Sequence, residues 1–267
     1  MERSARAAGL PETTVNVAPF RKTWRYAAPE HADPAELSAN THEAASRILS
    51  HRSKVRVPIR PRGAGTSSTD VTASPDGTTL SMTGLDRIIR VDPQNMTVTA
   101  EAGVRLYALA EALARHGLEL IGNHEMMGRT LGGAIASPAL GPGIGRDAAA
   151  LGRWVLSLKL ATCNGKMTTV NAEQRNLMGA IRSSYGLLGA IIQATLKVRP
   201  ITTFAASHRK LDIGQFCGIV DRLSNADVGF RFYLLPHRDR VYLDLRRHAS
   251  AKGSAHSTPW RFKDWGE

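Results

Sequence analysis

Two stretches of small residues constrain this chain more than anything else in it. They are Arg62-Gly63-Ala64-Gly65-Thr66-Ser67-Ser68 and the longer Thr130–Gly145 segment, TLGGAIASPALGPGIG. Neither carries the side-chain pattern of a strand or helix face, so both are expected as loops. The first follows Val55-Arg56-Val57-Pro58-Ile59, whose alternation predicts a short strand. A glycine- and hydroxyl-rich loop after a strand offers backbone N–H groups with no Cβ in the way. Such a nest holds an anion, a pyrophosphate for example, without needing a helix or a lysine. The plain alternative is a surface loop, and the pattern alone does not separate the two.

Around these loops the patterning alternates between strand and helix. Asn40-Thr41-His42-Glu43 offers a helix start, with Ala44, Ala45, Ile48 and Leu49 as its apolar face. Thr78–Met82 predicts a strand. Ile88–Val91 and Thr97–Ala100 predict a hairpin across the turn-rich 92–96. Leu106, Leu109, Ala110 and Leu113 fall at helical spacing, with Gly117 beyond the end. Trp154–Thr162 and Met167–Val170 flank an Asn-Gly turn, residues 173–182 suit a helix, and Ala190–Val198 reads as a buried strand. Phe230, Phe232 and Leu234 alternate opposite Val241, Leu243 and Leu245, giving a hairpin with one apolar face.

Several function classes fall away. The net charge is +12, but residues 1–60, 61–200 and 201–267 each contribute an excess of four positive charges. A nucleic-acid surface needs a cluster or stripe, so no nucleic-acid partner is expected. No run of about 18 apolar residues exists, which excludes a helical membrane span. The first residues lack an apolar secretory segment, and Cys163 and Cys217 are too few for a disulfide scaffold, so a cytoplasmic location is expected. His124-Glu125-Met126-Met127-Gly128 opens like a zinc HExxH motif but has glycine where the second histidine belongs; no metal site is expected. Neither GxxxxGK[ST] nor GxSxG occurs, and Gly141-Pro142-Gly143-Ile144-Gly145-Arg146 lacks the third glycine of a dinucleotide fingerprint.

Taken in order, six segments resemble the FAD-binding domain of the vanillyl-alcohol oxidase/p-cresol methylhydroxylase (PCMH-type) flavoprotein family. They are VRVPIRPRGAGTSS, LSMTGLDRIIRVDPQNMTVTAEAGV, LYALAEALARHGLEL, RTLGGAIASPALGPG, VLSLKLATCNGKMTTV and SSYGLLGAIIQATLKVRP. The resemblance implies an α+β fold: a PCMH-type FAD-binding domain of two α+β subdomains over residues 36–200. An N-terminal arm, residues 1–35, would precede it, and residues 201–267 would begin a truncated cap, or substrate, domain.

The resemblance also implies roles. Arg62, Gly63, Ala64, Gly65, Thr66 and Ser67 would belong to the loop that wraps the pyrophosphate of FAD. Thr130, Leu131, Gly132 and Gly133 would pass the flavin and ribityl chain. Ser137, Ala139 and Leu140 would run by the isoalloxazine, and Ile191 would meet adenine or ribose. Many members bond the flavin covalently through a histidine where this chain has Thr66, and some add a cysteine where it has residues 125–129; neither is present, so FAD is expected to be noncovalent. Related sugar-lactone enzymes often carry His-Gly where this chain has Leu140-Gly141. The implied activity is oxidation of an alcohol-type carbon of a small-molecule substrate by hydride transfer to flavin. The alternative is a catalytically incomplete FAD-binding subunit or fragment needing a partner chain for the cap. No catalytic acid or base is assigned.

Overall fold

The computed structural model describes residues 13–15, 36–51, 54–67, 69–72, 74, 76–122, 126–141, 143–147, 149–235 and 237–249. The chain divides into a larger unit, residues 19–141 and 149–201, and a smaller one, residues 1–18, 142–148 and 202–267. Ser68, His124, Glu125, Pro142, the end of the chain from residue 250 and nearly all of the proposed arm lie outside the described residues.

In the larger unit, β2 (Glu36–Ser38), β4 (Thr78–Ser81) and β3 (Ile59–Arg62) form a parallel sheet in the order β2-β4-β3. Helix α1 (His42–Ser50) begins where expected, because the Thr41 hydroxyl accepts the Ala44 amide at 3.0 Å. The strand expected over 55–59 lies instead at 59–62. Its partner β4 starts only at Thr78, which pairs with Ile59, so the alternating residues before it have no ladder to join.

A six-stranded sheet fills the rest of this unit. Its main order is β5 (Ile88–Asp92), β6 (Thr97–Glu101), β10 (Ala190–Pro200), β8 (Val155–Ala161) and β9 (Met167–Asn171), and β7 (Leu118–Leu120) pairs with the far end of β10. Eleven-residue β10 is therefore central, and its two faces meet different cores. Ile191, Ala194, Leu196 and Val198 pack into a large core with α2 (Leu106–Ala114), α3 (Leu131–Ala136) and α4 (Arg175–Arg182). Ala190 and Ile192 pack into a second core with Leu49 of α1 and Leu80 of β4. Burial on both faces explains why β10 reads as a continuous apolar run.

The smaller unit is a four-stranded antiparallel sheet, β1 (Thr13–Val15), β11 (Phe204–Leu211), β13 (Val241–His248) and β12 (Gly229–Leu234), in the order β1-β11-β13-β12. Helix α5 (Ile213–Ser224) starts from a capping box formed by Asp212 and Gln215 and covers one face, where Phe216, Val241 and Leu243 are buried. The β12–β13 hairpin has the expected partners, Phe230 opposite Leu245 and Phe232 opposite Leu243. Asp244 is buried and holds Arg246 at 2.7 Å, with Arg231 at 3.8 Å and His208 at 3.6 Å. Burial lowers the pKa of both His208 and Arg231.

The larger unit buries one carboxylate among its described residues, Glu101, at the end of β6 and 1% exposed. Its Oε1 accepts from Arg87 Nη2 at 2.8 Å and from His42 Nε2 at 3.0 Å. Its Oε2 accepts the Arg87 amide at 2.9 Å. Burial works to raise the carboxyl pKa, but the Arg87 bonds and charge together with His42 outweigh it and hold the pKa below the usual carboxylate range. A depressed folded-state pKa means stability that is complete above the unfolded value and lost as pH falls through the folded one. Glu101→Gln is expected to lower stability at pH 7 by about 1–3 kcal/mol, the range for hydrogen bonds to charged groups. Urea unfolding should show this difference shrinking towards zero as pH falls below the usual carboxylate range, where the wild-type side chain is itself neutral.

Candidate functional site

The two small-residue loops meet. A cleft in the larger unit, with about 820 Å³ of non-protein space including open solvent, lies between the loop after β3 and the start of α3. Strand β3 delivers the first loop: Arg62 is the last ladder residue, and its carbonyl accepts the Met82 amide at 2.9 Å. The Arg62 guanidinium turns to Glu36, Nη2 to Oε2 at 2.8 Å, and so fixes the root of the loop. Gly65 takes a φ of +65°, a left-handed conformation that a side chain strains, and no atom lies within 4 Å of where its Cβ would stand. Among the described residues, the amides of Gly63, Ala64, Gly65, Thr66 and Ser67 donate to no protein group. Adjacent backbone N–H groups at a cleft wall must be satisfied by solvent or a ligand, and together they favour negative charge.

The second loop is more regular than the sequence suggests. Residues 131–136 form the short helix α3, capped by Thr130, whose hydroxyl accepts the Gly133 amide at 3.4 Å. Its first amides are already committed: Leu131 donates to Val104 and Gly132 to Ala102, each at 2.8 Å. This segment therefore supplies cleft surface and a close backbone, and the first loop supplies the free donors. A Cβ on Gly63 would collide with the Thr130 hydroxyl, and one on Gly132 would stand 2.8 Å from the Ala102 Cβ.

The cleft brings together Arg62, Gly63, Ala64, Gly65, Thr66, Ser67, Thr130, Gly132, Gly133, Ser137 and Ile191. It does not include three residues that the resemblance placed by the cofactor. Leu131 and Ala139 are buried in the large core, and Leu140, 72% exposed, turns to solvent. Ile191 reaches the wall where β10 shifts register against β8, between Ile191 and Gln193. Sequence reasoning missed Arg129 and Tyr185. Arg129 lies one residue before the glycine-rich segment, and among the described residues it makes no ion pair, which leaves a cation on the cleft wall. Tyr185 follows α4 and comes to the cleft only through the tertiary fold.

The chemistry of this donor set fits a dinucleotide pyrophosphate: free amides, small side chains, hydroxyls of Thr66 and Ser67, and an arginine. Among the described residues lining the cleft none is His, Cys, Asp or Glu, so none of these offers a carboxylate or imidazole for proton transfer. The described residues also contain no cluster of three or more metal-ligating side chains.

The profile of the FAD binding domain family matches residues 34–171. The chain belongs to that family. The PCMH-type flavoprotein resemblance of its six segments thus holds, and FAD is its cofactor. The chain is 29% identical over 229 residues to the L-gulono-1,4-lactone dehydrogenase of Mycobacterium tuberculosis, covering 85% of this chain and 52% of that protein. It is 29% identical over 208 residues to the L-gulonolactone oxidase of Bos taurus, covering 76% of this chain and 45% of that protein. It thus spans about half the length of the curated relatives it matches. Its fold superposes with a TM-score of 0.69 on a cholesterol oxidase from Brevibacterium sterolicum, at 19% identity over 82% of this chain and 45% of that one. No described helix is long and apolar enough to cross a membrane.

The two adjacent glycines of α3 face different surroundings, which separates folding from binding. Gly132→Ala must push Ala102 aside and is expected to cost about 1–3 kcal/mol of stability, as overpacked sites do. At Gly133 a Cβ meets only the Thr130 Oγ1, at 3.1 Å, so Gly133→Ala is expected to change stability by less than about 1 kcal/mol. Thermal melting of the cofactor-free proteins checks both; an equal loss in the two would show that α3 is not packed as described.

Proposed function

We propose that this chain is the FAD-binding part of an oxidoreductase acting on an alcohol-type carbon of a small molecule, with a sugar lactone as the favoured substrate class. The observation that carries the cofactor half of this reading is the run of unpartnered amides from Gly63 to Ser67 on the cleft wall. The substrate half is supported by the lactone-oxidising names of its relatives. When bound, FAD supplies the acceptor for a hydride from the substrate carbon. In this reading the 63–67 amides and the Arg129 guanidinium hold the diphosphate, while Gly132 and Gly133 let the backbone pass close to the cofactor.

Noncovalent attachment is part of the proposal. Thr66 lacks the ring nitrogen that would bond the flavin, and no described cleft residue is His or Cys. Purified protein should be yellow and should release its flavin into the supernatant on acid precipitation; flavin in the pellet would refute this. Gly133→Val should lose FAD while keeping its fold, because a branched side chain there stands in the cleft. Arg129→Ala should weaken FAD binding about tenfold, in line with one charge-assisted bond to a phosphate. A cytoplasmic location belongs to the same reading, since Cys163 and Cys217 are both exposed and not joined in a disulfide, as reducing compartments allow.

A second reading has its own support. In it the chain is a subunit or fragment that binds FAD but turns over only with a partner chain completing the cap; the matches cover about half of each relative. Incubation of the FAD-loaded chain with L-gulono-1,4-lactone and an artificial electron acceptor separates the two. Sustained turnover supports the first reading. Stoichiometric FAD with no turnover supports the second.

A further inference from the structure

Three described residues other than glycine have positive φ: Met96 (51°), Tyr185 (50°) and His237 (61°). Met96 packs its side chain against the large core, and His237 occupies the turn between β12 and β13. Tyr185 also lies in a turn, between α4 and β10, but nothing in that turn calls for an aromatic residue at the left-handed position. A bulky aromatic residue in the left-handed region is an outlier, and such strain concentrates at ligand sites. Its backbone is held there by its own amide, which donates to the Ala136 carbonyl at 2.9 Å and ties the turn to the end of α3. Asparagine or glycine would satisfy that bond without strain.

The side chain of Tyr185 is 43% exposed, so burial does not account for the residue either. It stands on the cleft wall beside Pro61, Ala136, Ser137 and Gly186, and it is the only aromatic residue among the described lining residues. An amphipathic ring, strained in backbone and left half in the open, is placed to meet another flat ring.

We infer that Tyr185 is a positioning residue whose ring packs against one of the two planar heterocycles of bound FAD. This deepens the cofactor reading above and rests on it. The residue holds the ring system in the cleft while the diphosphate sits on the 63–67 loop. Aromatic pairs contribute a modest increment beyond area burial, equivalent to about a three- to tenfold change in affinity.

The test compares wild type, Tyr185→Asn and Tyr185→Trp, each freed of cofactor and titrated with FAD, ADP and riboflavin. The asparagine variant tolerates the left-handed backbone, so its melting temperature should equal or exceed that of wild type while FAD binds three- to tenfold more weakly. The tryptophan variant should restore the affinity. If the ring partner is isoalloxazine, the asparagine loss recurs with riboflavin, and bound-flavin fluorescence rises as electron-transfer quenching by the phenol disappears. If the partner is adenine, the loss recurs with ADP and the fluorescence is unchanged. Unchanged binding of all three ligands by Tyr185→Asn would overturn the inference. So would a weaker FAD complex with a lowered melting temperature that tryptophan does not rescue, which marks a structural role. A wild-type chain that binds no FAD would sink the cofactor reading itself, and this inference with it.

Discussion

The carbonyls of Ala102 and Val104 accept the first two amides of α3, each at 2.8 Å, and the Arg129 carbonyl accepts the Leu106 amide in return. These bonds strap the glycine-rich segment onto the turn after β6, and only a residue without Cβ at position 132 lets the two backbones come that close. The 63–67 loop is then seated against the same strap, since the Thr130 hydroxyl fills the space a side chain at position 63 would take. Cleft shape follows from these approaches. With the α3 amides used internally, the polar demand of any anionic ligand falls on the loop after β3.

Glu101 stabilises the same turn from the other side. It links β6 to Arg87 and to His42 of α1, so a single buried carboxylate joins the six-stranded sheet to the helix that backs the parallel sheet. Burying a carboxylate is costly unless it is fully paired, and here several donors meet it. Strand β10 does the corresponding apolar work: Ile191 reaches the cleft, Ile192 the core beneath α1, and Ala194 and Leu196 the core beneath α2 and α3. The cleft wall is therefore backed by packed core on its sheet side.

Much of this was legible in the sequence, for physical reasons that can be named. Strands β4, β6, β8 and β10 and helices α1 and α2 announce themselves through side-chain period, because that period is what the cores bury. The small-residue loops were legible because glycine is used where a backbone must come close. Helix α3 was not, since Gly132 and Gly133 disguise six helical residues whose stability comes from Thr130 and from packing. Helix α5 was missed because Gly214 and Gly218 interrupt its pattern, and β11 because Ser207, His208 and Arg209 give it little alternation. Tyr185 escaped as a site residue because tertiary structure alone brings it to the cleft, and Arg129 because a single arginine ahead of the small-residue run carries no signal of its own; Ala139 shows the reverse: the core claims it.

The central claim is that the unpartnered amides of residues 63–67 carry the diphosphate. Backbone amide NMR on the cofactor-free chain, titrated with FAD, ADP and riboflavin, addresses it directly. The account predicts that FAD and ADP shift the 63–67 amide resonances and slow their exchange with solvent, while riboflavin, which lacks phosphate, leaves them unchanged. Saturation with FAD that leaves those five amides unmoved, or riboflavin perturbing them as strongly as ADP, would contradict it.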